Sequence, residues 1–170
     1  PGFGWGDRQH TAALEVLAEI LGGGSTSRMY RSLVVDQAVS ASAGSWYSPE
    51  GLGPQTFGVY ATPAQGIEIA DLEAALDAEL ALLLRDGVSE EEVATAVKRM
   101  RRGSIFARDD VLYPARLFGR TLASGGTIAD VEDWPNRIAA VTPEAVLEAA
   151  RAVFVPETST TSILLSKPAS

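Results

Sequence analysis

The sequence predicts an α+β fold, an antiparallel β-sheet layered with several α-helices. Three observations predict it. Apolar residues recur at helical spacing over most of the chain, and in two adjacent stretches near residue 50 they instead alternate with a period of two. Those two stretches follow one another across a short Pro/Gly loop, the arrangement of an antiparallel pair. No regular alternation of strand and helix runs through the chain, which argues against a doubly wound parallel sheet. At 170 residues, with neither internal repeats nor an interior linker, the chain suits one domain with a substantial core.

Asp7 can cap a first helix over residues 7–21, in which Ala13, Leu14, Leu17, Ile20 and Leu21 form a stripe. Gly22, Gly23 and Gly24 end it, because glycine tolerates left-handed or closely approached backbone. Ser25 or Thr26 can open a second short helix to about Val35 that buries Met29 and Leu33, with Tyr30 a further candidate. Over 39–47 the period changes: Val39, Ala41, Ala43, Ser45 and Tyr47 face one way, so a strand is expected. A turn follows over 48–54, then a second strand over 55–64 with Phe57, Val59 and Ala61 on one face. Leu72, Leu76, Leu80, Leu83 and Leu84 line a helix over 71–84 that Gly87 closes. Ser89 and Glu92 form a capping box opening a helix to about Asp110. Pro114 fits the first turn of a helix reaching Ser124, and Thr127 and Thr142 open two more. Residues 158–165 read as a last β-like run and 166–170 as a loose tail.

Composition excludes more chemistry than it suggests. The chain has no cysteine, hence no disulfide, thiolate nucleophile or cysteine-built zinc site. One histidine, His10, rules out two-histidine metal centres, and its acidic neighbours Asp7 and Glu15 make no recognised ligand spacing, so a half-exposed structural role is expected. Fourteen basic against twenty-two acidic residues give a net charge of −8, opposite to the footprint of a nucleic-acid partner. No apolar run approaches the ~20 residues of a membrane span. The start at Pro1, without Met or a basic leader, is expected of a processed chain or of a piece of a longer one.

The remaining motifs have structural explanations. Gly22-Gly23-Gly24-Ser25-Thr26 lacks the lysine and the preceding strand of a phosphate loop, and a tight helix–helix corner is the expected reading. No Gly-x-Ser-x-Gly elbow is present for Ser–His–Asp chemistry. Lys98-Arg99-Met100-Arg101-Arg102 is the one basic cluster, expected as a solvated face or as a contact with an acidic partner surface. Glu90, Glu91 and Glu92 are accounted for by capping and the helix dipole.

The stretch from Val16 to Leu33, carrying Leu21-Gly22-Gly23-Gly24 and Ser27-Arg28-Met29-Tyr30, resembles the glycine–SRLY signature of the pitrilysin/insulinase family of zinc peptidases. The resemblance continues in order through Tyr60-Ala61-Thr62-Pro63, Gly87-Val88-Ser89-Glu90-Glu91-Glu92, Ile105-Phe106-Ala107-Arg108-Asp109 and Ile138-Ala139-Ala140-Val141-Thr142-Pro143-Glu144. It implies the C-terminal, non-zinc domain of a two-domain half, similar to bacterial processing-peptidase-like proteins. The family's His-x-x-Glu-His zinc motif lies in the N-terminal domain and is absent here, so the resemblance implies zinc in the parent protein and none bound by these residues, which supply no catalytic group. It also implies a peptide substrate, the chain's own N-terminal zinc domain as partner, and a second half in a homo- or heterodimer. The family's substrate-facing arginine and tyrosine fall at Val34 and Ala41 in this frame, so the partner half is expected to supply that pair. Gly22, Gly23, Gly24, Ser27 and Arg28 become candidates for an inter-domain corner. A bacterial source is implied, with periplasm and cytoplasm both open. The competing expectations are a catalytically inactive relative that binds peptides or scaffolds a complex, and a free-standing acidic interaction domain.

Overall fold

The computed structural model describes residues 7–51, 53–106 and 110–165. Helix α1 (Arg8–Gly22) opens as expected, with the Asp7 side chain accepting from the His10 amide at 3.0 Å. Its burial goes further than a one-sided stripe. Ala12, Val16 and Ala18 join Ala13, Leu14, Leu17, Ile20 and Leu21 in the core, because α1 lies between the β-sheet on one side and α3 and α7 on others. Each fully buried leucine there contributes roughly 2 kcal/mol of transfer free energy.

Past the buried Met29 the chain turns through a π-helical segment, Tyr30–Asp36, that buries Leu33, into β1 (Ser40–Tyr47) and β2 (Phe57–Pro63). The strands pair antiparallel, Ala43 opposite Ala61 and Tyr47 opposite Phe57, with a register irregularity between Ser40 and Ser42. That bulge leaves Ala41 exposed rather than facing inward with Ala43. Phe57 extends the core toward α7, meeting Phe154 edge-on at 5.3 Å. On the outer face Trp46 lies over Gly58 and Tyr60 over Gly44, each aromatic covering the glycine opposite it.

Helix α2 (Ile69–Asp86) buries Leu72 and Leu83 and ends at Gly87, whose φ of +72° favours glycine. The α3 helix (Glu90–Phe106) starts at the Ser89–Glu92 capping box; the residues following it, and the tail over 166–170, lie outside the described residues. Tyr113–Ala123 forms α4, with Pro114 in its first turn. The helix expected after Thr127 is instead two short ones, α5 (Ile128–Glu132) and α6 (Trp134–Ala139). Pro135 is the reason: it lacks an amide hydrogen and starts a helix more readily than it continues one. Finally α7 (Pro143–Val153) packs Val146, Ala149 and Ala150 against α1.

The β-like run over 158–165 is a correction. A 3-10 turn, Pro156–Thr158, leads into irregular chain with Ile163, Leu164 and Leu165 exposed. β-branched composition cannot by itself make a strand when no neighbour pairs with it. None of the described helices is long and apolar enough to cross a membrane.

Candidate functional site

The glycine corner is built from close approaches. A Cβ on Gly22 would collide with the backbone of Ser45 and Gly44, so glycine here lets α1 end directly against β1, while Ser45 Oγ donates to the Ala18 carbonyl at 2.8 Å. Gly24 has a φ of +124°. The Gly23 carbonyl accepts from Arg99, which also pairs with Glu19 at 3.1 Å and donates to Thr26 Oγ1 at 2.9 Å. Ser27 is 3% exposed. Arg28 donates to Glu92 from Nε and Nη2 together, Nη2 reaching Oε2 at 2.8 Å, and Nη2 also donates to the Gly87 carbonyl at 2.9 Å. The Arg28 hydrogen bond, helped by Ser89, holds the Glu92 carboxyl at about 2, well below its ordinary range. One carboxylate thus closes its own helix and ties α3 to the glycine corner. The five expected corner residues sit together beside the end of α1, β1 and the start of α3.

Val34 and Ala41 lie on different elements. Val34 is half-buried on the π-helical segment, and Ala41 is exposed at the bulge. Between them Ala38 has a φ of +52°, unfavourable for a residue with a Cβ. The π-helix, the left-handed alanine and the bulge all fall between Tyr30 and Ser42. Such irregularities recur where a backbone is shaped for function. The expected substrate-facing frame therefore spans the π-helix, the left-handed Ala38 and the bulge, although neither side chain can donate a hydrogen bond.

A cavity of about 310 Å³ opens between α1, the end of β1, α4, α5 and α6. Glu15 projects into it from α1 and accepts from Trp134 Nε1 at 2.8 Å. Burial pushes the Glu15 carboxyl up to about 7; the indole hydrogen bond and Arg137 oppose the shift, and Glu50 adds to it. Around it Arg120 pairs with Glu50 at 3.1 Å, and Arg137 donates to the Asp130 carbonyl at 2.6 Å. Burial would raise Asp130, but hydrogen bonds from Arg8 and Thr127 outweigh it and hold that carboxyl at about 2. Burial thus holds the Glu15 carboxyl at about 7, whereas hydrogen bonds hold the Asp130 carboxyl well below its ordinary range. In the sequence Glu15 stands out only as an acidic neighbour of His10. Its isolation as an acid between buried Leu14 and Val16 was the available signal. Among the described residues no group of three or more His, Asp or Glu side chains is placed to hold a metal ion, so these residues do not fit a zinc centre.

Residues 1–100 match the family described as the peptidase M16 inactive domain. This chain belongs to that family. The M16 inactive domain is the non-catalytic side of the zinc-peptidase family to which the glycine–SRLY signature pointed. Among proteins it resembles is an uncharacterized zinc protease of Streptomyces coelicolor, 29% identical over 147 residues, covering 84% of this chain and 30% of that protein. The fold matches a protease structure from Helicobacter pylori with a TM-score of 0.80 at 18% identity, over 89% of this chain and 36% of that one. It also matches the inactive peptidase domain of a Bordetella parapertussis protein described as a zinc protease, with a TM-score of 0.77 at 20% identity, over 95% and 88% of the two chains. The chain thus spans about 30% of the curated relative it matches, while the Bordetella domain is nearly coextensive with it.

Proposed function

We propose that this M16 inactive domain works inside a zinc-dependent metalloendopeptidase as the non-catalytic domain that helps enclose a peptide substrate and orient it for hydrolysis. The match of residues 1–100 to the M16 inactive domain carries the proposal. Zinc and the water it activates belong to a separate N-terminal domain of the same half. The contribution of this chain is positional, since holding a peptide in a reactive geometry is itself rate-enhancing. The glycine corner with Ser27 and Arg28 is the proposed face toward the zinc domain. Val34 and Ala41 support a second half, in a homo- or heterodimer, that supplies the arginine and tyrosine to the substrate.

The test uses the full-length protein encoded by the parent gene. The expected result is hydrolysis of a quenched-fluorescent peptide that a chelator abolishes and zinc restores, and that falls when residues 7–165 are deleted. Turnover insensitive to chelator, or a parent lacking His-x-x-Glu-His upstream, overturns the catalytic reading. Peptide binding without cleavage would instead establish the inactive, peptide-binding relative.

A further inference from the structure

The outward side of α3 carries a feature that neither the ion-pair network nor the cavity uses. Glu90, Ala94, Val97, Lys98, Arg101 and Ile105 recur along α3 at helical spacing and line one wall of a groove of about 640 Å³. The opposite wall is the turn from α6 into α7, with Ala139, Val141 and Pro143. Its floor is apolar and built of small side chains, and Ile105 stands at one end 63% exposed.

The rim is cationic. Lys98, Arg101 and Arg102 are exposed, and among the described residues none of them has an ion pair, whereas the neighbouring Arg99 is engaged by Glu19. This occurs in a chain with eight more carboxylates than cations. Three like charges at i, i+3 and i+4 repel one another, so their grouping opposes the helix that carries them. The helix dipole offsets little of this, because none of the three lies in the last turn of α3. Glu90, at the far end of the groove, lies two turns from Lys98 and leaves the cationic end uncompensated.

We infer that the groove between α3 and the α6–α7 turn docks an acidic amphipathic helix from a protein partner, its leucine-type side chains on the Ala94/Val97/Val141 floor and its carboxylates on Lys98, Arg101 and Arg102. Charge complementarity selects this occupant. The apolar floor asks for an anchoring side chain that a polyanion lacks, and the small residues of both walls allow a third helix to approach at ordinary packing distance.

The experiment measures fluorescence anisotropy of the 170-residue chain with a labelled 16-residue helical peptide bearing leucine on one face and glutamate on both flanks. Its companion carries lysine for every glutamate. The acidic peptide is expected to bind, and to weaken about tenfold as salt rises from about 50 to 300 mM, as screening requires. The lysine peptide is expected not to bind. The triple variant K98E/R101E/R102E is expected to reverse this preference, and A94R, which obstructs the floor, to abolish binding of both; circular dichroism and thermal melting check that each variant remains folded. Absence of acidic-peptide binding, equal binding of both peptides, or an unchanged preference in the triple variant overturns the inference. So does equally tight binding of a single-stranded oligonucleotide, which would reduce the groove to a charged surface.

Discussion

The two sides of α3 face opposite environments. Toward α1 and the glycine corner, Arg28 is held by Glu92 and a carbonyl, and Arg99 by Glu19, a carbonyl and a hydroxyl. On the outward side Lys98, Arg101 and Arg102 stand beside a small-residue floor with no such partners among the described residues. The sequence presents these cations as one basic cluster; the helix divides them between two tasks. Charge on the inner side fastens elements that are distant in sequence, whereas charge on the outer side does not hold the domain together.

Substitutions should separate the two sides by their cost. Replacing Gly22 by valine drives a side chain into the β1 backbone and should lower unfolding free energy by about 3 kcal/mol in a urea titration. A comparable effect should follow from pH. A carboxyl raised in the fold from 4.5 to about 7 gives stability that is fully present below pH 4.5 and lost as pH rises through 7. Wild-type stability attributable to Glu15 should therefore fall by roughly 3 kcal/mol between pH 4 and 8, and Glu15→Gln should flatten that slope. If the variant keeps the full slope, the Glu15 assignment is wrong.

Smaller effects sharpen the contrast. Glu92→Ala removes both the capping box and the anchor of Arg28, and should cost about 2 kcal/mol at pH 7. Because Glu92 titrates near 2 in the fold, its contribution is present above pH 4.5 and wanes as pH falls toward 2, the opposite sense to Glu15. Ala38→Gly relieves the left-handed strain and should raise the melting temperature slightly, by under about 1 kcal/mol in stability. Reversing Lys98, Arg101 and Arg102 together should change stability by no more than about 0.5 kcal/mol. A cost as large as that of Glu92→Ala would show that the outer side also holds the domain together.

Much of this fold is legible in residue spacing. The Ser89–Glu92 box, the Gly87 cap and the antiparallel pairing of the two strands follow from local rules that tertiary packing here reinforces. What escaped did so for physical reasons. Ile163 and its neighbours have strand composition but find no ladder, and pairing is a property of two segments rather than one. The break at Pro135 is visible as a residue, but not which side of it the helix favours. Of the candidate site, the glycines were legible because close approach demands glycine, whereas Glu15 became notable only once α4 and α6 were seen to wall it in.

The central position of α1 has a consequence for synthesis. It is made before α7, yet it buries against α7, so its apolar surface cannot be fully covered until Val146 and Ala150 leave the ribosome. At elongation rates of about 5–20 residues per second, that leaves a sticky nascent helix exposed for roughly ten seconds. The bulk of this domain thus condenses late and together, and a chain stalled before α7 should be held by chaperones rather than partly folded.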